Sequence, residues 1–259
     1  MTASLDAVEQ ALDGWRGDGP FVLGVCGAQG SGKSTLAEGL TERLTARGLR
    51  AATLSLDDLY LSHAERARLG EVVHPLFATR GVPGTHDVAL GLRLLSALRA
   101  GQDAVLPRFD KATDDPASTG APVNGPLDVL IFEGWCVGAR AQDDAALLAP
   151  VNALEAKRDP DATWRRFVNQ ALATDYADLF ARIDRLVLLA APGFEVVRDW
   201  RIQQEHELRA RVGEEARTMS DDEIGVFIQH YERLTRHILS DMPAYADLTL
   251  RLDEKRRLT

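Results

Sequence analysis

Cysteine is scarce in this chain, and the two that occur both lie in or beside apolar segments. Cys26 belongs to the run FVLGVCG, and Cys136 follows the run LDVLIFEGW. Two cysteines in candidate buried strands are more typical of reduced thiols in a cytoplasmic protein than of a disulfide, which is the alternative. We therefore predict two free, buried thiols and a cytoplasmic location.

The chain also lacks long apolar segments and an excess of positive charge. No apolar run approaches the ~20 residues that a membrane helix needs. The amino terminus has neither the basic nor the continuous apolar part of a secretory signal. The net charge of −9 disfavours a protein that wraps nucleic acid or adsorbs to anionic membranes. We expect a small-molecule partner rather than nucleic acid or a membrane, and the oligomeric state stays open.

The remaining composition is that of an ordinary globular protein. Hydrophobic residues make up 45% of the 259 residues and charged residues 27%, a balance that excludes disordered, collagenous and coiled-coil chains. At roughly 150 residues per domain, this length gives fewer than two domains. We therefore predict one domain over residues 1–259.

Strand and helix patterns alternate along the chain. The apolar run FVLGVCG predicts a buried strand. A glycine-rich turn follows, and Leu36, Leu40 and Leu44 then recur at the spacing of a helix. AATLSLDD predicts the next strand. Because a strand, helix, strand unit implies a parallel sheet, we predict a doubly wound α/β fold with a mostly parallel sheet and helices on both faces.

Later segments continue this pattern. LDVLIFEGW, RLVLLAAP and ADLTLRLD predict three more strands, the last of them at a sheet edge. Apolar spacing predicts an unbroken helix within residues 161–183 and further helices over 194–212 and 221–239. Residues 61–86 are predicted to form loop with a short helix. The polar stretch 108–126 is predicted to be a long functional loop, since long structureless loops are otherwise uncommon.

The turn after the first strand carries the clearest functional motif. Residues 27–34, GAQGSGKS, fit the phosphate-loop pattern G-x-x-x-x-G-K-[ST] and lie between a strand and a helix, as that pattern requires. Glycines let backbone N–H groups turn toward phosphate oxygens, and the amino terminus of the helix faces the same anion. The alternative is a glycine-rich turn with a chance lysine. The predicted nucleotide-binding residues are Gly27, Gly30, Ser31, Gly32, Lys33, Ser34 and Thr35.

Three of these residues have predicted individual roles. Lys33 is expected to contact the β- and γ-phosphates, Ser34 to ligate Mg²⁺, and Thr35 to cap the helix or reach the α-phosphate. The guanine-recognition pattern N-K-x-D does not occur in the sequence, which disfavours a GTPase. An ATPase motor would usually be larger and would carry an apolar run that ends in D-E.

Acidic residues at the ends of two predicted strands complete the candidate site. Glu133 follows the apolar run VLIF, so we predict that it faces Mg²⁺ directly or through water. A solvated glutamate at a strand end is the alternative. Asp57 and Asp58 end the second strand, and a kinase needs a carboxylate within hydrogen-bond reach of the attacking hydroxyl. Helix capping is the alternative for either aspartate.

Seven short stretches resemble one kinase family. GAQGSGKST, SLDDLY, RGVPGTHD, PRFDKA, LIFEGW, VNALEA and WRIQQE resemble the plant-type D-glycerate 3-kinases and their bacterial relatives, which group with phosphoribulokinase, uridine kinase and pantothenate kinase. The resemblance extends from about residue 20 to 245. It implies a single P-loop kinase domain that uses ATP and Mg²⁺, with a lid at roughly 194–213 and a substrate loop at roughly 108–126.

The resemblance also implies roles for single residues. Asp57 is expected to be the base that deprotonates the acceptor hydroxyl, with Asp58 and Tyr60 beside the substrate. Arg198 and Arg201 match a lid helix whose arginines close over the phosphates. The alternative for these two arginines is a solvated helix face.

A glycerate substrate carries a carboxylate, so its site needs a cation. Arginine is well suited because its planar fork can bind both oxygens. The candidate cations are Arg80, Arg108 and Lys111, all in predicted loops, and His86 and Asp87 are expected to hydrogen-bond the substrate hydroxyls. A purely structural role is the alternative for each of the five.

The sequence departs from the resemblance at Pro116, where the relatives usually carry an arginine after FDKA. Loss of a substrate or phosphate contact there would slow the enzyme or change its acceptor. The leading prediction is an ATP- and Mg²⁺-dependent kinase that converts D-glycerate to 3-phosphoglycerate, the position of the phosphate resting on the resemblance alone. The alternatives are the same chemistry on a nucleoside, pantothenate or a sugar acid, and a nucleotide-binding regulatory protein with weak turnover.

Overall fold

A five-stranded sheet forms the centre of the computed structural model, which describes residues 2–212 and 219–259. The strands are β1 Phe21–Gly27, β2 Ala51–Ser55, β3 Ala104–Leu106, β4 Phe109–Asp110, β5 Asp115–Pro116, β6 Ala121–Val123, β7 Val129–Gly134, β8 Arg185–Ala190 and β9 Leu248–Arg251. The helices are α1 Thr2–Trp15, α2 Lys33–Ala46, α3 His63–Val72, α4 Val88–Arg99, α5 Ala153–Arg158, α6 Thr163–Ala173, α7 Asp175–Phe180, α8 Glu195–Val212, α9 Asp221–Phe227 and α10 Gln229–Asp241.

The central sheet is entirely parallel. Its strand order is β2-β7-β1-β8-β9, and each neighbouring pair runs in the same direction. The other strands form two antiparallel ribbons, β3 with β6 and β4 with β5. The predicted parallel sheet is therefore confirmed, and β9 lies at its edge as expected.

Helices cover both faces of this sheet. β1 and β7 are buried along their whole length, which explains their almost continuous apolar sequence. On one face α1 and α2 pack Leu12 and Leu36 against the strands. On the other face α4, α7 and α10 pack Leu95, Leu179 and Ile238. The doubly wound α/β fold is confirmed.

Two of the predicted helices are divided in the structure. The ladder over 161–183 contains both α6 and α7, and the break lies at Thr174, whose φ of −119° and ψ of −100° leave the helical region. The predicted helix over 221–239 contains α9 and α10, which meet at Ile228. Apolar spacing continues through both breaks because it records which side faces the core, and not whether one helix continues.

Two stretches that were predicted to be mainly loop contain short regular elements. Residues 61–86 include α3, whose first turn is closed by a capping box between Ser62 and Glu65. Residues 108–126 include β4, β5 and β6. Strands of two or three residues are too short to show an alternating apolar pattern, so the sequence did not indicate them.

The cysteines are free and buried, as predicted. Cys26 has 0% of its surface exposed, and burial raises the pKa of its thiol to about 12. It therefore stays protonated at neutral pH and is a poor nucleophile. Within the described ranges, no helix is both long and apolar enough to cross a membrane.

Candidate active site

The parallel strands end at one edge of the sheet, and most of the predicted functional residues lie there. β1 leads into the phosphate loop, β2 is followed by Asp57, and Glu133 lies at the end of β7. Glu133 is in register with Val25 of β1 and Ser55 of β2. Open α/β sheets bind their ligands at this edge.

The phosphate loop, residues 27–34, needs glycine at two positions with left-handed backbone. Gly30 and Gly32 have φ of 77° and 89°, which residues with a side chain rarely adopt. A Cβ on Gly30 would also lie 2.6 Å from the Cβ of Trp200 in α8. α2 begins directly after Gly32, and no described side chain caps its first turn. Its first N–H groups are therefore available to an anion.

The other loop residues are arranged around the same turn. Ser31 is 1% exposed, and a Cβ on Gly27 would lie 2.6 Å from its hydroxyl oxygen. Glycine at position 27 therefore leaves room for this serine. Lys33, Ser34 and Thr35, the first residues of α2, line an open cleft of about 890 Å³. The ammonium of Lys33 and the hydroxyl groups of Ser34 and Thr35 therefore face the cleft, as expected for residues that bind nucleotide phosphates.

The residues predicted to hold Mg²⁺ contact each other. The Ser34 hydroxyl donates to Glu133 Oε1 at 3.1 Å. Glu133 is 4% exposed, and its Oε2 has no hydrogen-bond partner among the described residues. An unpaired buried carboxylate oxygen is costly, and a cation beside Ser34 would neutralise it. The donor set therefore fits Mg²⁺, which prefers oxygen ligands.

Few protein ligands would complete such a metal site. Within residues 2–212 and 219–259, no group of three or more His, Cys, Asp or Glu side chains is placed to hold a metal ion. A magnesium ion beside Ser34 and Glu133 would take its other ligands from nucleotide phosphates and water. This is the usual arrangement in nucleotide-dependent phosphoryl transfer.

Asp57 has a partner at each carboxylate oxygen. The Tyr60 hydroxyl donates to Oδ1 at 2.8 Å, and Lys111 Nζ lies 2.7 Å from Oδ2. Burial of Asp57 opposes its ionisation, but the positive charges of Lys111 and Lys33 outweigh this effect and hold the pKa of the carboxyl well below its ordinary value. Asp57 is therefore an anion at neutral pH, 31% exposed at the wall of the cleft.

Arg80 lines the cleft and is fixed through both its backbone and its side chain. The Tyr231 hydroxyl donates to the Arg80 carbonyl at 3.0 Å, and the Trp135 indole N–H donates to the Gly81 carbonyl at 2.8 Å. The guanidinium pairs with Asp114. Sequence reasoning missed Trp135, Tyr231 and Asp114. Trp135 at the end of LIFEGW was the one visible signal, since Tyr231 lies in an ordinary apolar helix stripe.

The ribbon formed by β4 and β5 carries Lys111 at its tip and is held at both ends. Asp58 accepts the Phe109 N–H and an Arg108 N–H, each at 3.0 Å. Arg66 is 1% exposed and lies 2.8 Å from Asp114 Oδ2. Asp58 and Arg108, both predicted to bind substrate, thus pair with each other and fix the base of the ribbon.

Pro116 lies in this ribbon, opposite Phe109. The Phe109 N–H is used by Asp58, and the neighbouring cross-strand bond runs from the Ala117 N–H to the Arg108 carbonyl at 2.8 Å. The ribbon therefore forms without an N–H at position 116. The Pro116 side chain is exposed. The presence of proline instead of the expected arginine therefore does not disturb the other cations of the cleft.

Tyr60, His86 and Asp87 take three different positions. Tyr60 lines the cleft, and the His86 ring stacks on it with centroids 4.6 Å apart. Burial lowers the pKa of His86 to about 3, so the ring is neutral, and its Nδ1 faces the Tyr176 hydroxyl. Asp87 accepts the Leu90 N–H at 2.8 Å and caps α4. Asp87 therefore acts as a helix cap in the structure. The His86 ring packs against Tyr60 behind the wall of the cleft.

The two arginines predicted in the lid, one helical turn apart in α8, have different surroundings. Arg201 lines the cleft and pairs with Glu205 at 2.7 Å. Arg198 is exposed and directed toward α9, where a Cβ on Gly225 would lie 3.7 Å from its Nε. The structure therefore brings Arg201, and not Arg198, to the other candidates. Residue 213, the last of the predicted lid, lies outside the described residues.

The cleft as a whole combines a phosphate cradle with one carboxylate and several cations. Lys33 and Arg201 line it from α2 and α8, Lys111 pairs with Asp57, and Arg80, paired with Asp114, lines the same cleft. A phosphate loop with a strand-end glutamate, facing a carboxylate across a cleft, defines a P-loop kinase.

Comparisons with known proteins narrow this class. The chain is 38% identical over 224 residues to the uncharacterized kinase mug58 of Schizosaccharomyces pombe, covering 82% of this chain and 78% of that protein. The chloroplastic D-glycerate 3-kinase of Arabidopsis thaliana is 31% identical over 224 residues, 82% of this chain and 46% of the plant protein. This chain belongs to the P-loop kinase family that includes mug58 and the D-glycerate 3-kinases.

A solved structure agrees with this assignment. The D-glycerate 3-kinase of Cryptococcus neoformans superposes with a TM-score of 0.80 at 29% identity, covering 100% of this chain and 96% of that one. The superposition covers all the elements around the cleft. No protein-family model matches the chain.

Proposed function

We propose that this protein transfers the γ-phosphoryl group of ATP, with Mg²⁺, to a hydroxyl of D-glycerate and forms 3-phosphoglycerate. The observation that carries the proposal is a pair of cations, Lys111 and Arg80, that line the cleft together with Asp57 in addition to those of the phosphate loop and α8. Lys111 pairs with Asp57 and Arg80 with Asp114, whereas Lys33 and Arg201 come from α2 and α8. Two cations there favour an acceptor with a negative charge of its own, such as a carboxylate.

The nucleotide would be held by the phosphate loop. Backbone N–H groups at the start of α2 bind its phosphates, and Lys33 neutralises the β- and γ-phosphates. Ser34 and Glu133 would hold Mg²⁺, which supplies charge neutralisation and orientation of the phosphates. Arg201 would leave Glu205 and contact the transferring group, whose charge is spread over its equatorial oxygens.

The acceptor hydroxyl would be oriented by Asp57. In the free protein Lys111 occupies Asp57 Oδ2 and Tyr60 occupies Oδ1. A substrate carboxylate attracts Lys111 and Arg80, and this exchange frees Oδ2 to accept the substrate hydroxyl proton. Water carries no such charge and does not displace Lys111. The arrangement therefore favours transfer to the acceptor over hydrolysis of ATP.

Pantothenate is the second candidate acceptor, because it also carries a carboxylate. The pantothenate kinase of Agrobacterium fabrum is 37% identical to this chain, but over 118 residues, 44% of the chain. An uncharged nucleoside would not draw Lys111 away from Asp57, so Oδ2 would stay occupied. A regulatory protein that binds a nucleotide without turnover would not require Asp57 in this arrangement.

The proposal is tested by measuring ADP release from Mg²⁺-ATP with D-glycerate, L-glycerate, uridine and pantothenate, with Lys33→Ala as the blank. We expect turnover with D-glycerate, and the phosphorus–proton couplings of the product should place the phosphate on the 3-hydroxyl. Turnover with pantothenate or uridine alone would show that this compound, and not glycerate, is the acceptor. ATP binding without turnover on any acceptor would support the regulatory alternative.

The role of Asp57 has its own test. Asp57→Asn keeps the shape of the side chain and removes the base, so turnover should fall by about 10²–10⁴-fold. ATP binding, measured by calorimetry, should stay within a few-fold of the wild type. If the Asp57→Asn variant kept the wild-type turnover, a residue other than Asp57 would have to be the base.

A further inference from the structure

Arg256 lies in a tight turn at the carboxyl end of the chain. Its own backbone is left-handed, with φ of 60°, a conformation that costs energy for a residue with a side chain. The turn is closed by Asp253, whose carbonyl accepts the Arg256 N–H at 2.9 Å and whose carboxylate accepts the Arg257 N–H at 2.8 Å. Leu252 and Leu258 pair across its ends. The turn therefore presents Arg256 in a defined position.

The Arg256 side chain joins three segments that are distant in sequence. Its Nε donates to the carbonyl of Gly30 in the phosphate loop. Its Nη1 donates to Gln203 Oε1 of α8 at 2.8 Å, and its guanidinium lies over the Trp200 ring, 5.1 Å from the centroid. Trp200 in turn donates its indole N–H to the Glu254 carbonyl at 2.7 Å.

No acidic side chain forms an ion pair with Arg256. Among residues 2–212 and 219–259, no carboxylate lies within 4.0 Å of its guanidinium. Burial lowers the pKa of Arg256, and the charge of Glu207 partly opposes this effect. The hydrogen-bond acceptors of Arg256 are neutral: the Gly30 and Trp200 carbonyls and Gln203 Oε1. A positive charge held beside the phosphate loop in this way favours the binding of an anion there.

Arg256 also fixes the part of α8 that faces the cleft. Trp200 and Gln203 contact the carboxyl-terminal turn, whereas their neighbours Arg201 and Gln204 line the cleft. The Trp200 Cβ fills the space that a side chain on Gly30 would need. Because one guanidinium holds both the loop and this helix, their relative position depends on it.

We propose that Arg256 is a positioning residue for the nucleotide: it fixes the phosphate loop to α8, and so sets the affinity for the ATP phosphates and the direction of Arg201. This role rests on nucleotide binding at the phosphate loop and is independent of the acceptor. Failure of the glycerate assignment would therefore leave it intact.

The test is nucleotide affinity, measured by calorimetry with Mg²⁺-ADP on the full chain carrying Arg256→Ala, Arg256→Lys or Arg257→Ala. We expect Arg256→Ala to raise the Kd by about tenfold or more, since a charge-assisted bond to the loop is lost. Arg256→Lys should recover part of the affinity, because one ammonium keeps the charge but cannot reach both acceptors. Arg257→Ala is the matched control, since Arg257 is 71% exposed and, among the residues that the structure describes, pairs within its own turn with Asp253.

Steady-state kinetics separate positioning from a loss of folding. In Arg256→Ala the KM for ATP should rise and kcat should fall, while the KM for the acceptor stays within about twofold. Gln203→Leu removes one of the α8 contacts of Arg256, together with the bond from Gln203 to Glu207, and should give a smaller effect that is not additive with Arg256→Ala. An Arg256→Ala protein with the ADP affinity of Arg257→Ala would overturn the proposal. So would equal changes in the KM for both substrates.

Discussion

Lys111 Nζ lies 2.7 Å from Asp57 Oδ2, so the candidate base and a candidate substrate-binding cation neutralise each other in the free protein. The two residues are 54 positions apart in the chain. The ribbon of β4 and β5 brings them together, because Asp58 fixes its base at Phe109 and Arg66 fixes its other strand at Asp114. Under the proposed function, a charged acceptor would have to separate this pair before Asp57 could accept a proton.

Replacing Lys111 is expected to change the pH profile of the enzyme. Lys111 makes the largest contribution to the lowered pKa of Asp57, so Lys111→Met raises that pKa toward its ordinary value. Asp57 must be ionised to accept a proton, and the acid limb of the kcat/KM profile, which reports the groups of the free enzyme, should therefore move to higher pH. The acceptor KM should also rise. Lys157→Met, at an exposed position of α5, is the control. An unchanged acid limb in Lys111→Met contradicts the pairing.

Replacing Glu133 should act on the metal requirement. Glu133→Gln keeps the side-chain volume but removes the charge that faces Ser34, so the Mg²⁺ concentration for half-maximal rate should rise about 10–100-fold. A magnesium titration of the rate measures this, with Glu71→Gln on the exposed surface of α3 as control. Equal magnesium dependence in both variants would exclude Glu133 from the metal site.

The sequence predicted those parts of the fold and site that depend on local pattern. The phosphate loop is contiguous, so its spacing and flanking strand were enough to identify it. The buried strands around Cys26 and before Glu133 were visible as apolar runs. A break such as the one at Thr174 was invisible, because the apolar spacing is the same on both sides.

Pairings between distant residues could not be predicted in the same way. Asp58 and Arg108 were both candidates for the substrate, yet they bind each other across 50 positions of the chain. Asp87 was a candidate for binding a substrate hydroxyl, with a structural role as the alternative, and the fold places it before α4, where it caps the helix. Arg256 carried no motif at all. Its partner Gly30 is 226 positions away, and only the fold brings them together.

Removing Asp114 should destabilise the protein through Arg66. Arg66 is 1% exposed, and a buried guanidinium that loses its carboxylate costs about 3–5 kcal/mol. Arg66 keeps the Leu61 and Ala78 carbonyls as acceptors, so we expect the lower end for Asp114→Ala in urea unfolding. Asp110→Ala, exposed at the ribbon tip, should change stability little. The double variant Asp114→Ala with Arg66→Met should recover most of the loss, and a double variant as unstable as Asp114→Ala would refute this account.

The arginines of α8 provide a matched pair on one helix. Arg201 lines the cleft beside Lys33, whereas Arg198 is exposed toward α9. An arginine that stabilises the transferring phosphoryl group is worth about 10³–10⁵ in rate elsewhere, so Arg201→Ala should lower kcat by about 10³-fold with little change in the ADP affinity. Arg198→Ala should keep kcat within a few-fold, because its guanidinium is directed toward Gly225 of α9 and does not line the cleft. Single-turnover measurements of phosphoryl transfer distinguish this effect from slower product release. Equal losses in the two variants would mean that α8 turns on binding substrate and brings Arg198 to the phosphates as well.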